Sequence, residues 1–360
     1  MDMSQLLVLI VFIPLVTKTC IADDEDTLQQ VHIFFRHGKR YPSERELYPK
    51  DPHLTLFNLD HWEKLTRIGE KESCILGNIL RAHYGTFIGS SYNPDEIISK
   101  DSGTDRTMKS AQLLLHGLFS KCEFSALPSY NITSTTYELQ QPRYFCPAYD
   151  EELNHLLSQN ESSSILETNK DLLQYLTEKT GRRMKSLMDV FFLHGALSRE
   201  KDLGLAHPLW VDSVMSRITD LAIARLHYES GNDQLRRLNG GRLLKNVVSK
   251  MKAFVDGAER QRKMFLYACH EFNLYSILTM LTEFEPHIPE CSSAVAFELR
   301  KRSQNEDYIV KMVYFKNTLV PPHELLFKNC SCKYSEFENL TQSVLPTNYT
   351  KECRATTPLD

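Results

Sequence analysis

The amino-acid sequence predicts an α/β protein with a doubly wound, mainly parallel sheet flanked by helices and a smaller inserted helical lobe. Short apolar runs typical of buried strands alternate with helical patterns in the first and last thirds of the chain, as in parallel sheets. Between residues 142 and 238 the helical patterns continue, but strand patterns become rare. A length of 360 residues with 42% hydrophobic content is sufficient for a large buried core.

Each predicted strand and helix rests on a local pattern. β-Branched and aromatic residues predict a buried strand over residues 31–35, and apolar positions at helical spacing follow over residues 70–84. The later elements show the same two patterns: a strand at 97–98, a helix at 107–119, a strand at 264–268, a helix from about Asn273, and strands at 294–300 and 308–316. A polar turn separates the last two strands, so we expect them to form an antiparallel hairpin.

The change of pattern along the chain predicts its division into parts. We expect residues 23–141 and 239–360 to form the α/β core. Residues 142–238 are expected to form the inserted lobe, with helices at 172–187 and 211–228. Residues 1–22 precede both parts.

The first 22 residues have the pattern of a secretory signal peptide. An apolar run over residues 6–16 is too short to cross a bilayer, and the small residue Ala22 precedes an acidic stretch at residues 23–26. The alternative, a buried N-terminal helix, lacks amphipathic spacing. No second long apolar run follows, so the sequence predicts a secreted, extracellular protein without a membrane anchor.

Cysteines and glycosylation motifs agree with secretion. Outside the signal peptide, an even number of cysteines in a secreted chain favours disulfide bonds without defining their pairing. These cysteines are Cys74, Cys122, Cys146, Cys269, Cys291, Cys330, Cys332 and Cys353. Asn-X-Ser/Thr motifs predict glycosylation at Asn131, Asn160, Asn329, Asn339 and Asn348.

Three predicted strands are followed by polar clusters: residues 36–40, residues 100–106 and residues 269–271. Because ligand sites of open α/β sheets lie beyond the carboxyl ends of strands, we expect the three polar clusters to face one cleft. The net charge of the chain is only −4, without a long run of one sign, which argues against nucleic acid as a partner. The cations of the clusters are therefore a local feature that suits a small anion.

The residue types in these clusters suit phosphoryl transfer to histidine. Arg36, Arg40 and Arg106 provide guanidinium groups that match the oxygens of a phosphate group. Cationic neighbours disfavour protonation of His37, so we expect its imidazole to remain nucleophilic at acidic pH. Glu271, with an ordinary pKa of about 4.3, could protonate the leaving oxygen at low pH. No metal or other cofactor is predicted, since the arginines can neutralise the phosphate charge.

The same residues resemble the motifs of the histidine acid phosphatases, a branch of the histidine phosphatase superfamily. Residues 36–42, RHGKRYP, match the RHGxRxP signature, and residues 105–110, DRTMKS, resemble DRTxxS. Residues 269–271, CHE, occupy the place of the second motif, His followed by Asp, and residues 65–69, LTRIG, resemble LTxxG. The glutamate in the second motif is similar to that of secreted acid phosphatases of insect venom and saliva.

The resemblance implies the histidine phosphatase fold and hydrolysis of phosphate monoesters through a phosphohistidine. His37 is expected to be the nucleophile and Glu271 the proton donor. The expected phosphate ligands are Arg36, Arg40, Arg106 and His270. A disulfide between Cys146 and Cys353, a small phosphorylated substrate and a homodimer are also implied by the resemblance.

Three departures from the family pattern leave a second function open. Lys39 stands where many relatives have Asp, Asp101 stands where some have Ser, and Glu271 replaces Asp. A pocket with Asp101 and Glu271 could instead bind a small cation such as a biogenic amine, which would make the chain an impaired phosphatase that sequesters mediators in saliva or venom. A structural glycoprotein with a vestigial site is a third interpretation.

Overall fold

The computed structural model describes residues 26–123, 128–303, 307–328 and 333–354. The predicted signal peptide and three predicted sites, Asn329, Cys330 and Cys332, lie outside the described residues. Within these ranges a central sheet has buried apolar clusters on both faces.

The described strands are β1 Thr27–Arg36, β2 Ile97–Asp101, β3 Ile132–Ser134, β4 Met264–Cys269, β5 Ala294–Lys301, β6 Tyr308–Phe315 and β7 His323–Leu325. The described α-helices are α1 Arg67–Ile88, α2 Asp105–Phe119, α3 Thr136–Leu139, α4 Pro147–Ser158, α5 Asn160–Thr168, α6 Lys170–Thr180, α7 Leu187–Asp202, α8 Met215–Tyr228, α9 Asp233–Arg236, α10 Arg242–Val255, α11 Glu271–Leu281, α12 Tyr334–Gln342 and α13 Tyr349–Glu352. Shorter helical segments are Leu54–Leu56, Pro142–Tyr144 and the π-helical Arg237–Gly241.

The strands form one sheet in the order β3-β2-β4-β1-β5-β6-β7. The first four are parallel: Arg36 of β1 lies opposite Cys269 of β4, and Asp101 of β2 lies opposite Ala268 on the other side of β4. Beyond β1, the sheet continues with β5 and β6 as the predicted antiparallel hairpin. The predicted α/β class with a mainly parallel sheet is confirmed, and the three polar clusters follow the adjacent carboxyl ends of β1, β2 and β4.

Strand β1 is buried on both faces of the sheet. Val31, Ile33 and Phe35 pack into a cluster that includes side chains of α1 and α2, whereas Phe34 packs with side chains of α10 and α11. All four side chains are at most 1% exposed, which explains the near-continuous apolar run that predicts this strand. The end of β1, and with it His37, is thereby held at the centre of the sheet edge.

Residues 142–238 contain helices α4 to α9 and no strand. Their buried apolar side chains form a cluster that also includes Tyr48 and Cys353. The predicted helix at 211–228 corresponds to α8, which begins four residues later. The division into an α/β core and an inserted lobe stays a prediction.

The single helix predicted over residues 172–187 is wrong, because the chain forms two helices there. Helix α6 ends at Thr180, where Gly181 adopts the left-handed conformation with φ of 70°. Helix α7 begins at Leu187, and the Ser186 hydroxyl caps it by accepting a backbone N–H of its first turn. The periodic apolar residues on both sides of Gly181 obscure this break in the sequence.

Two disulfides are present among the described residues: Cys74–Cys122 and Cys146–Cys353. The expectation of disulfides is wrong for Cys269 and Cys291, which are free. Cys269 is buried at the end of β4, whereas Cys291 precedes β5. Because β4 and β5 flank β1, the two thiols lie on opposite sides of that strand.

The surface carries four of the predicted glycosylation sites in exposed positions: Asn131, Asn160, Asn339 and Asn348. Glycan attachment needs an exposed asparagine, so all four sites are accessible for it. Within the described ranges, no helix combines the length and apolar content that a membrane crossing requires.

Candidate active site

The three polar clusters meet at one cavity of about 850 Å³, which we term the cleft. Its lining includes one or two residues from each cluster: His37, Arg40, Arg106, His270 and Glu271. The sixth predicted site residue, Arg36, contacts Glu271 and lines a smaller neighbouring cavity. Strands that adjoin in the sheet thus bring together residues more than two hundred positions apart.

The first polar cluster turns sharply against the start of α1. The His37 N–H donates to the Cys269 carbonyl at 3.2 Å, and the Gly38 N–H donates to the Ser110 hydroxyl at 3.0 Å. A Cβ at Gly38 would lie 2.3 Å from the carbonyl oxygen of Gly69, so the close approach requires glycine. These contacts fix the position of His37 directly after β1.

The imidazole of His37 is held in one tautomer. Its Nδ1 lies 2.8 Å from the Gly38 carbonyl oxygen, which can only accept, so Nδ1 carries the proton and Nε2 keeps its lone pair. The ring is 1% exposed, and burial lowers the pKa of His37 well below its ordinary value. Positive neighbours, of which Arg106 has the largest effect, lower this pKa further. The ring is therefore neutral even at acidic pH.

Arg40 is oriented by a buried carboxylate. Its Nη1 and Nη2 donate to the two oxygens of Glu46 at 2.7 and 2.9 Å, a bidentate pair. Burial raises the pKa of Glu46, but the charges of Arg40 and Arg199 outweigh burial and the pKa falls to about 2. The Nε of Arg40 is buried without a partner among the described residues. The guanidinium therefore retains donor capacity beside the cleft.

Arg106 lies in the first turn of α2 and reaches across the cleft. Its Nη1 donates to Glu63 Oε2 at 3.0 Å, and the Glu63 side chain is half exposed. Burial and the charge of Arg40 lower the pKa of Arg106, yet a guanidinium stays protonated. Two positive groups, Arg40 and Arg106, thus lie in the same cavity as the neutral ring of His37.

His270 lies at the N-terminus of α11 beside His37, with ring centroids 5.4 Å apart. Its Nε2 lies 2.9 Å from the Ser102 hydroxyl, and its ring stacks on Phe272. Burial, followed by the charge of Arg106, lowers the pKa of His270 to about 3. This second imidazole is also neutral and acts as a hydrogen-bonding group.

Glu271 is paired with Arg36. The Arg36 Nη2 lies 3.0 Å from Glu271 Oε2, and Nη1 donates to the Pro289 carbonyl at 2.6 Å. Burial opposes ionisation of Glu271, but the charges of Arg36 and Arg199 dominate and hold its pKa well below the usual range. The pairing with Arg36 therefore opposes protonation of Glu271, and its role as a proton donor stays a prediction.

Apolar and aromatic side chains widen the cleft beyond the charged groups. The lining includes Trp62, Tyr144, Phe191, Phe192 and Phe272. A buried ion pair between Arg225 and Glu229, with 2.7 Å between nitrogen and oxygen, also contributes to the lining. The cleft can therefore accept a leaving group considerably larger than a phosphate.

Sequence reasoning does not identify three residues that contact the predicted site: Glu46, Glu63 and Ser102. The sequence does indicate Glu46 as a partner of the site, because it is an acidic residue in the loop that follows a cluster of cations. Ser102 lies inside the second polar cluster next to Asp101. Glu63 has no such signal, because only the path of the loop between β1 and α1 brings it to Arg106.

The structure assigns other surroundings to two of the residues that depart from the family pattern. Asp101 accepts from the Gly103 N–H at 2.6 Å and from the Ser134 hydroxyl at 2.8 Å, and it does not line the cleft. Lys39 pairs with Glu72 at 2.8 Å and lines the neighbouring cavity. The pocket with both Asp101 and Glu271, which the amine-binding interpretation needs, is therefore absent from the cleft.

Residues 27–315 match the profile of the histidine phosphatase superfamily (branch 2). The chain belongs to this superfamily. The match includes all six predicted site residues, and the resemblance noted from the short motifs is confirmed.

Named relatives from this superfamily are acid phosphatases. Venom acid phosphatase Acph-1 of Apis mellifera is 29% identical over 340 residues, which cover 89% of this chain and 86% of the relative. Lysosomal acid phosphatase of Xenopus laevis is 27% identical, with 91% and 79% covered. Prostatic acid phosphatase of Bos taurus is 26% identical, with 91% and 87% covered. These relationships confirm the predicted enzyme class, an acid phosphatase.

Solved structures of phytases show the same fold. The phytase from Citrobacter braakii has a TM-score of 0.64 at 15% identity, with 92% of this chain and 100% of that chain covered. The Hafnia alvei phytase in complex with tartrate has a TM-score of 0.62 at 16% identity, with 92% and 100% covered. At these identities the comparison concerns the fold alone, and the predicted histidine phosphatase fold is confirmed.

Proposed function

We propose that the protein is a secreted acid phosphatase that hydrolyses phosphate monoesters through a phosphohistidine at His37. The observation that supports this most strongly is the state of His37. Its Nδ1 proton is bound to a carbonyl, its Nε2 lone pair is available, and it shares a cavity with Arg40 and Arg106. A neutral nucleophile beside fixed positive charges is suited to attack on a phosphate group.

In the first step, Nε2 of His37 forms a bond to phosphorus while the bond from phosphorus to the leaving oxygen breaks. The electron pair leaves with that oxygen, and protonated Glu271 supplies its proton. In the second step, a water oxygen bonds to phosphorus while the N–P bond breaks, and Glu271 accepts the proton from the water. Inorganic phosphate and neutral His37 result.

Substrate binding prepares Glu271 for this role. The ion pair with Arg36 lowers the pKa of Glu271. A bound phosphate adds negative charge nearby and competes for Arg36, and both effects raise the pKa of Glu271. Protonation of Glu271 in the complex then requires acidic pH, at which the lowered pKa of His37 still leaves the nucleophile neutral.

Secretion is supported by three independent features. The described part of the chain contains two disulfides, which persist in oxidising compartments. Four glycosylation motifs are exposed, and a named relative is a venom protein. Expression in insect cells tests this: we expect product in the medium to lack residues 1–22 and to lose mass with peptide N-glycosidase. Retention of an unglycosylated product inside the cells would contradict secretion.

The enzymatic proposal is tested by release of p-nitrophenol from p-nitrophenyl phosphate between acidic and neutral pH. We expect turnover at acidic pH that falls at least about thousandfold in His37→Ala. The matched control is His155→Ala, at an exposed histidine of α4 that does not line the cleft. Quenching the wild type during turnover with phosphorus-32 substrate should leave an acid-labile label, absent from His37→Ala. Undiminished turnover in His37→Ala would overturn the phosphohistidine mechanism.

A further inference from the structure

A second cavity, which we term the side cavity, lies next to the cleft and has a volume of about 440 Å³. Glu46, Phe191 and Glu271 line both cavities and separate them. Arg199 lines only the side cavity. A ligand of Arg199 there would therefore be distinct from a substrate in the cleft.

Arg199 is a buried cation in the last turn of α7. The residue is 7% exposed, and its Nε is buried without a partner. Across the described ranges of the chain, its guanidinium makes no hydrogen bond or ion pair. A guanidinium cannot discard its proton, and a buried charge without a partner is unfavourable. A negatively charged group bound directly to the Arg199 guanidinium would therefore stabilise the folded protein.

The carboxylates that line the side cavity already have other partners. Glu46 binds Arg40 through both oxygens, and Glu271 binds Arg36. The remaining contacts are Glu72 to Lys39 at 2.8 Å, Asp202 to Lys39 at 3.6 Å and Glu290 to Asn317 at 3.1 Å. As far as the structure describes the chain, Arg199 thus has no carboxylate within ion-pair distance, although its charge lowers the pKa of Glu46 and Glu271.

We propose that the side cavity binds a small oxyanion of the phosphate, sulfate or carboxylate type, with Arg199 as its principal ligand. Lys316 also lines this cavity, is exposed and has no hydrogen bond or ion pair within the described residues, so it adds a second positive group. His194 lines the cavity as a neutral hydrogen-bonding group, because burial and Arg199 lower its pKa to about 4. Arg199 supplies a planar set of donors that fits two oxygens of one anion.

Diffraction from crystals of the wild-type protein soaked in low-millimolar selenate locates the anion through the anomalous signal of selenium. We expect a peak within hydrogen-bond distance of the Arg199 guanidinium, separate from any peak at His37 in the cleft. Selenate confined to the cleft would overturn the proposal. This experiment needs no variant, so it decides the question even if substitution of Arg199 prevents folding.

A titration with sulfate, followed by thermal unfolding, measures the same site in solution. Arg199→Gln is compared with Arg217→Gln, which removes one positive charge from an exposed pair with Asp171. We expect Arg199→Gln to be at least as stable as the wild type without anion, and to lose about tenfold or more in affinity for the side-cavity sulfate. The control should keep the wild-type response. An unchanged sulfate response in Arg199→Gln would contradict the site.

Discussion

The cleft and the last turn of α7 differ in whether their buried guanidinium groups form ion pairs with carboxylates. Each predicted guanidinium of the active site has a carboxylate partner: Arg36 with Glu271, Arg40 with Glu46 and Arg106 with Glu63. In α7, Arg199 has none among the described residues, and Glu200 next to it is buried against the carboxyl group of Asp51. The carboxylates thus orient the cleft cations, whereas the last turn of α7 contains a guanidinium without an ion pair and a carboxyl group whose pKa burial raises.

The largest effect on turnover is expected for Glu271→Gln, which replaces the carboxyl group of the Arg36–Glu271 pair with an amide. Glu271→Gln should reduce turnover of alkyl phosphates by about 10²–10⁴, because the leaving oxygen loses its proton donor. The first step with p-nitrophenyl phosphate, measured as the pre-steady-state burst of p-nitrophenolate, should slow much less, since p-nitrophenolate leaves without a proton. Pre-steady-state kinetics with both substrates checks this, because loss of the base from the second step slows steady-state turnover of both.

The control for Glu271→Gln is Glu63→Gln, which removes the carboxylate partner of Arg106 and leaves Glu271 in place. It should affect both substrates alike. Equal losses in the rate of the first step with both leaving groups in Glu271→Gln would show that Glu271 does not act as the proton donor.

The next effect concerns the buried Arg40–Glu46 pair. Glu46→Gln leaves Arg40 buried with an incomplete partner, and the free energy of unfolding should fall by about 3–5 kcal/mol. Glu63→Gln should cost at most about 1 kcal/mol, because the Glu63 carboxylate is half exposed. Urea denaturation of both variants provides the measurement, and similar losses in the two would refute the distinction between buried and exposed pairs.

A smaller effect, and one that depends on pH, is expected at Glu200. Burial and the charge of Asp51 raise the pKa of Glu200 from 4.5 to about 8 in the folded protein. A pKa raised by folding means that the contribution to stability is full below pH 4.5 and is lost as the pH rises through 8. The melting temperature of the wild type should therefore decline across this interval.

Glu200→Gln should flatten the decline, because an amide can hydrogen-bond to Asp51 without carrying a proton that is lost at higher pH. The matched control is Glu167→Gln, at an exposed glutamate of α5, which should keep the wild-type profile. Thermal unfolding at a series of pH values provides the comparison. An equally steep decline in Glu200→Gln would assign the pH dependence to other groups.

The smallest effect is expected at Lys39, although it is the most visible departure inside the RHGxRxP motif. Its side chain pairs with Glu72 and Asp202 and lines the side cavity rather than the cleft. Lys39→Gln should keep turnover within about threefold and cost at most about 1 kcal/mol of stability. A loss of turnover approaching that of Glu271→Gln would place Lys39 in the reaction.

The sequence predicts the architecture around β1 and the meeting of the polar clusters well, for physical reasons. A strand buried on both faces has a continuous apolar run, and residues 31–35 show it clearly. Parallel strands place their carboxyl ends on one edge of the sheet. The residues that follow Arg36, Asp101 and Cys269 therefore lie close together at that edge. Local pattern and topology are sufficient for this part of the prediction.

The state of the charged groups could not be predicted, because it depends on contacts between distant segments. The short motif places Glu271 next to His270, but only the structure shows that Arg36 holds it ionised. The position of Asp101 at the end of β2 predicts a group available to a cation, yet Asp101 accepts one hydrogen bond from Gly103 of its own loop and one from Ser134. Orientation of a side chain is the information that a single sequence lacks.

The place of β1 in the sheet has a consequence for the timing of synthesis. β1 is the first strand made, but its two neighbours are β4 and β5, which begin at Met264 and Ala294. At about 5–20 residues per second, the ribosome needs on the order of ten seconds or more to deliver them. During that interval β1, with its buried apolar residues 31–35, has no partner in the sheet. The nascent chain is therefore expected to depend on chaperones until nearly all of it has been translated.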